Sequence, residues 1–245
     1  MTLAARRDDR RADVLRGAVV SIARHGYHGM SMRDLAKATG RSLASFYHLF
    51  RSKEDILFEI QSQAFEQLVA TVELALAEVE DPIGRLQIFV LNHVRYFAEQ
   101  PDVMRVLIHE AAALPRPRRA QIRALKQRYF EIARDVVRAI LERDPGAAGA
   151  PDPGEVERIT YCVFGMLNWI YGWYQPARHG SPEQLARTIQ HLALRGITAA
   201  PRDLALADAP RRVRPDDASW DAIASALDAI ERPPLLRTPE RGAPR

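Results

Sequence analysis

Most of the residues equipped for chemistry fall in one stretch, "MSMRDLAKATGRSLASFYHLFRSKEDIL", residues 30–57. It holds Arg33, Arg41, Ser42, Leu43, Ala44, Ser45, Tyr47, His48 and Lys53. Guanidinium forks pair with guanine edges or phosphates, hydroxyls and ammonium groups grip phosphate oxygens, and small apolar side chains touch thymine methyls. Phe46 and Phe50 stand four apart and share one face of a helix. The spacing predicts that they plug this helix into a core with Leu15, Ile22 and Leu35. Ser42, Leu43, Ser45, Tyr47 and His48 are then left facing a groove and its rims.

Positioning such a helix takes a scaffold of other helices, and the chain supplies their signals. Leu15, Ala18, Val19, Ile22 and Ala23 follow the i, i+3, i+4, i+7, i+8 template of a first helix that ends at Gly26. Ser31 and Asp34 make a capping-box start, Gly40 ends that second helix, and Ser42 caps the third. Ser52 and Asp55 open a fourth that runs to about Val79. Helix, glycine turn and short polar helix make a helix-turn-helix, whose second helix enters the major groove.

Downstream, Asp81-Pro82, Asp152-Pro153 and Ser181-Pro182 each pair an N-cap with a first-turn proline. They predict helices to about Gln100, up to Pro176 and to about Gly196. Further helices are expected over 102–114 and 118–143, the latter with Ile122, Leu125, Tyr129, Ile132, Val136 and Ile140 on one stripe. No segment alternates with a strand's period, so the fold class is all-α. From Ala199 the chain turns rich in Pro, Arg and Asp and reads as an extension.

Charge agrees with the motif. Residues 1–55 hold 11 Lys/Arg against 6 Asp/Glu, whereas the rest holds 24 against 25. The positive excess sits where a polyanion-binding module would need it. A single cysteine, Cys162, rules out an internal disulfide, points to a reducing cytoplasmic setting, and is expected to pack inside a helix. The apolar run "YCVFGMLNWIYGW" is too short for a membrane span.

The 30–57 stretch resembles the DNA-binding signature of TetR-type bacterial regulators. Ser31, Arg33, Asp34, Leu35, Ala36, Gly40, Ser42, Tyr47, Phe50, Ser52, Lys53 and Glu54 carry the likeness. Arg41, Leu43 and Ala44 depart from the usual pattern at the tip of the recognition helix, so no operator sequence carries over. The resemblance implies that Arg33 reads guanine and that Leu43 and Ala44 touch thymine methyls. Ser42, Tyr47, His48 and Lys53 would grip phosphates, with the N-terminal arginines Arg6, Arg7, Arg10 and Arg11 as an arm.

It also implies a division into a helix-turn-helix domain (1–55), a ligand-binding and dimerisation domain (56–198) and the extension (199–245). The last two helices, here 155–175 and 181–197, would build a homodimer through Trp169, Trp173, Leu185, Ile189 and Leu192. Two recognition helices one helical turn apart call for a palindromic double-stranded operator.

Glu110, Leu114, Tyr129 and the run Gly165-Met166-Leu167-Asn168-Trp169 resemble TetR-type repressors of fatty-acid and sterol degradation. Those repressors answer to acyl-CoA thioesters. The resemblance implies a chamber lined by Met104, Leu107, Ile108, Tyr129, Phe130, Phe164 and Leu167. His109 and Asn168 would meet a thioester carbonyl, and Arg116, Arg118, Arg119 and Arg123 the CoA phosphates.

Catalysis is not expected. His109-Glu110 begins a zinc-protease motif, but Ala113 stands where the second histidine belongs, and no cofactor or metal site is read. The competing readings are a regulator of an efflux or other catabolic operon with a non-CoA ligand, and a soluble acyl-binding protein without an operator.

Overall fold

In the computed structural model, which describes residues 3–143 and 149–198, every described element is helical. In order they are α1 (Leu3–His25), α2 (Met32–Ala38), α3 (Leu43–Leu49), α4 (Lys53–Leu76), α5 (Pro82–Glu99) and α6 (Pro101–His109). Then come α7 (Arg116–Glu142), α8 (Pro153–Asn168), a 3-10 turn (Ile170–Gly172), α9 (Pro176–His179) and α10 (Pro182–Thr198). Side chains are described over 10–143 and 149–195, so Arg6, Arg7 and the extension from 199 lie outside the described set.

The starts follow local chemistry. Ser31 and Asp34 cap α2 reciprocally, with Ser31 N–H donating to the Asp34 carboxylate at 2.9 Å. Gly40 takes φ +67°, which side chains resist, and Arg41 N–H closes the turn on the Ala36 carbonyl at 2.9 Å. Ser42 Oγ accepts the Ser45 N–H at the head of α3. Asp81, Asp152 and Ser181 accept backbone N–H groups at the heads of α5, α8 and α10 in the same way.

The described chain divides into two compact units. The first comprises 3–67 with 100–126: α1 to α3, the head of α4, α6 and the head of α7. Leu15, Ile22, Leu35, Phe46 and Phe50 are all buried, with the two phenylalanine rings 6.2 Å apart. Each such side chain contributes about 1.5–3 kcal/mol by leaving water. In the second unit α5 runs through the middle, with every residue from Leu86 to Phe97 buried, and α8 and α10 pack on it. Arg95 of that helix is buried against Glu183, Nε donating to the carboxylate at 2.7 Å.

Two expectations fail at helix ends. The helix expected to reach 175 stops at Asn168, where the buried Ile170 draws the chain into a 3-10 turn before Pro176 begins a new one. The one expected over 102–114 ends at His109, because Glu110 leaves helical geometry and its N–H closes on the Val106 carbonyl.

Candidate nucleic-acid interface and buried polar cluster

Helix α3 presents a divided surface. Phe46 and Leu49 are buried, while Ser42, Ala44, Tyr47 and His48 are exposed and Leu43 and Ser45 half-buried. Tyr47 is 49% exposed, an aromatic ring left in solvent beside the fully buried Phe46. Arg33 is exposed on α2. Tyr47 also borders an open cleft of about 630 Å³, which Ser31, Asp34, Arg51 and Lys53 line between the heads of α2 and α4.

Three of the expected anion contacts are committed elsewhere. Lys53 Nζ donates to the carbonyls of Tyr27 and Met30, each at 3.2 Å, and sits 4.5 Å from the Tyr27 ring centre. Its ammonium therefore clasps the α1–α2 turn to the head of α4, which leaves one N–H for any phosphate. Arg41 reaches back to Asp13 of α1 at 3.5 Å instead of pointing from the tip of α3. Arg11 pairs with Glu59, donates to the Leu49 carbonyl and lies 4.4 Å above the Phe50 ring. It is built into the fold rather than free as an arm.

Within the same unit, α6 and the head of α7 hold the helix-turn-helix. Glu110 Oε1 accepts the Tyr27 N–H at 3.0 Å, and Gln61 Nε2 donates to the Glu110 carbonyl at 3.1 Å. Arg118 binds Asp55 and lies 3.3 Å from Glu54, both in the first turn of α4, with its guanidinium 5.2 Å from the Phe58 ring centre. Burial alone would raise the Asp55 carboxyl, but the hydrogen bond and charge of Arg118, with hydrogen bonds from the Arg51 backbone and Ser52, together outweigh it and hold the pKa below its ordinary value. Arg118 is thus engaged inside the first unit rather than set aside for a CoA phosphate, and Arg119 donates to the Leu114 carbonyl at 3.1 Å. Arg116 and Arg123 are exposed.

The residues expected to line a ligand chamber are divided between the two units. Met104 and Leu107 are buried, and Ile108 and His109 exposed, all in the first unit. In the second unit Tyr129, Phe130 and Phe164 do come together. Phe164 stacks on Phe130 at 5.8 Å and meets Tyr129 edge-on at 5.9 Å, with Leu167 buried and Asn168 half-buried on the same helix.

That aromatic cluster has a polar centre which the sequence reading overlooked. Phe89 of α5 stacks on Tyr129 at 4.9 Å, and His93 Nδ1 lies 3.2 Å from the Tyr129 hydroxyl. Burial drives His93 down to a pKa of about 3, against a smaller opposing pull from the Leu167 backbone, so the imidazole is neutral. Asn92 Nδ2, His93 Nε2 and the Tyr96 hydroxyl are buried with no hydrogen-bond partner. The signal was present: Phe89, Asn92, His93, Tyr96 and Phe97 repeat at i, i+3, i+4, i+7, i+8. A core-facing stripe is normally apolar, and three of these five are not.

Of the residues expected at a subunit interface, Trp169, Trp173 and Leu192 are exposed. Leu185 and Ile189 are buried within the single chain, where they fix α10 to the body, so they are removed from the expected open face. Cys162, expected inside, is exposed on α8. Among the described residues no helix is long and apolar enough to cross a membrane.

Known proteins give this geometry a lineage. Residues 14–60 match the family described as bacterial regulatory proteins, tetR family, and residues 79–197 match the tetracyclin repressor-like C-terminal domain. The chain is 24% identical over 200 residues to the HTH-type transcriptional repressor KstR2 of Mycobacterium tuberculosis, covering 78% of this chain and 94% of KstR2. It is 36% identical to the TetR family transcriptional regulator PfmR from Thermus thermophilus, with a TM-score of 0.65, over 74% of this chain and 94% of PfmR. The structure of AibR in complex with isovaleryl coenzyme A and operator DNA is also similar, at 25% identity and a TM-score of 0.64, over 75% of this chain and 97% of AibR. An exposed recognition-type helix in the first unit, a buried aromatic core in the second and this sustained identity agree. The chain belongs to the TetR family of bacterial transcriptional regulators.

Proposed function

We propose that this cytoplasmic protein represses transcription by binding a palindromic operator as a homodimer, and leaves it when an acyl-CoA thioester binds. It is a ligand-responsive regulator of the TetR type, and not an enzyme. The observation that carries the finer reading is its likeness to AibR, whose structure holds isovaleryl coenzyme A and operator DNA together. The aromatic cluster of buried Tyr129 and half-buried Phe164 supports it, since apolar walls suit an acyl chain.

On this reading residues 1–55 form the DNA-binding domain and 56–198 bind ligand and dimerise. Arg33 takes a bidentate position on guanine, and Leu43 and Ala44 approach thymine methyls. Ser42, Ser45, Tyr47 and His48 meet the backbone, joined by the remaining Lys53 N–H. Arg41 contributes positive potential from its seat on Asp13. Release follows only when the thioester binds the non-operator shape more tightly than the operator-bound one.

The test begins with selection of duplexes from a random pool, followed by titration of the bound complex with acyl-CoA thioesters at fixed salt. An enriched palindrome whose affinity drops with one thioester class is the expected result. A palindrome indifferent to every thioester removes the effector assignment and leaves the repressor. No enriched palindrome removes the repressor reading itself.

A further inference from the structure

The polar stripe of α5 is fully buried: Phe89, Asn92, His93, Tyr96 and Phe97 are each at most 2% exposed. Its partners are aromatic, with His93 4.7 Å from the Phe97 ring and 6.2 Å from Phe164, and Tyr96 4.8 Å from Phe97. Buried polar groups ordinarily find partners, because an unmade hydrogen bond costs the desolvation of the group with no return. Here three adjacent ones do not.

The unmade bonds share a sense. Neutral imidazole has one donor nitrogen and one acceptor nitrogen. In the tautomer where the Tyr129 hydroxyl donates to Nδ1 across 3.2 Å, the ring proton resides on Nε2, which has no partner at hydrogen-bond geometry and feels only the smaller pull of the Leu167 backbone. Asn92 Nδ2 carries two N–H donors, of which the Tyr129 oxygen can take at most one, and the Tyr96 hydroxyl is a further unused donor. The group that satisfies them is an acceptor oxygen. It must be uncharged, because the imidazole is neutral and Arg95, the nearest cation along α5, is held by Glu183.

We propose that Asn92, His93 and Tyr96, braced by Tyr129, form the receptor for the carbonyl oxygen of the effector's thioester. This deepens the acyl-CoA reading and rests on it. It moves the polar contact from His109 and Asn168 to the middle of α5, inside the aromatic cluster. The His93–Tyr129 bond would fix the tautomer, so that the donor is already set when the ligand arrives.

Calorimetric titration of the full-length protein tests it with isovaleryl-, octanoyl- and palmitoyl-CoA beside thioether analogues of the same chains, which lack the carbonyl. For the chain length that binds best, the thioester should bind at least about tenfold more tightly than its thioether, the loss expected for buried donors left unpaired. In Asn92→Leu and Tyr96→Phe, which remove a donor at nearly constant volume, the ratio should fall toward one. The melting temperature of the free variants should be unchanged or higher. Equal binding of thioester and thioether by the native protein overturns the receptor while leaving the acyl-CoA reading in place. A variant that melts lower yet keeps the full ratio shows that the cluster serves packing alone, which also overturns it. Failure of every thioester to bind a protein that still holds its operator overturns the effector reading, and this receptor with it.

Discussion

At the scale of single residues, burial determines which functions remain open to a side chain. His93 and His48 are the same residue type, yet one is sealed among aromatic rings and the other lies on the surface of α3. The sealed one has a consequence for acid stability. With its folded pKa at about 3 and the unfolded value near 6.5, the unfolded chain takes up a proton below pH 6.5 that the folded chain refuses. Stability is therefore unaffected by this group above pH 6.5 and is lost as the pH falls from there toward 3. Between pH 7 and pH 5 the loss is about 2 kcal/mol. Urea unfolding at both pH values measures it, and His93→Phe should lose less than the native chain by roughly that amount. Equal losses in the two proteins would place the imidazole in water. The polar stripe of α5 was legible in the spacing alone, but seven histidines scattered along a chain give no clue to which one is enclosed.

At the scale of elements, local rules carried further for beginnings than for ends. Ser31 with Asp34, Ser42, Asp81, Asp152 and Ser181 mark helix starts because a cap is satisfied by residues two or three positions away. The end of α8 depends on where Ile170 finds a core, which no neighbour in sequence specifies. Lys53 shows the same limit. Its position in the motif is plain, yet the carbonyls it clasps belong to a turn some two dozen residues away. Two charge-assisted hydrogen bonds at a half-buried site contribute about 2 kcal/mol together. Lys53→Met keeps much of the stem and removes both bonds, so the free protein should melt lower by several degrees. Its operator affinity should fall as well, with the salt slope reduced by at most about one. An unchanged melting curve with a reduced salt slope would assign the ammonium to phosphate alone and remove it as a strut.

At the scale of the whole molecule, the question is which apolar surface a second copy covers. Sequence periodicity placed Leu185, Ile189 and Leu192 on one helix as equals, because all three are leucine or isoleucine at helical spacing. Folding separates them: Leu185 and Ile189 complete the chain's own core against α5, and Leu192 stays 60% exposed. Trp169, at the end of α8, is 63% exposed, and large aromatic side chains are rarely left so without a partner surface. A two-fold interface centred on α8 and α10 would cover both and supply the symmetry that a palindrome requires. Trp169→Asp and Leu192→Asp place a charge where that interface needs apolar contact. Light scattering after size exclusion should then give half the native mass, with helicity and melting of the monomer retained. Affinity for a full palindrome should drop toward that for a half-site. Leu185→Asp separates the two roles, since a charge in the chain's own core should unfold the protein rather than divide it. If both surface variants keep the native mass and the native operator affinity, the subunits meet elsewhere on the molecule, and the proposed face is exposed for another reason.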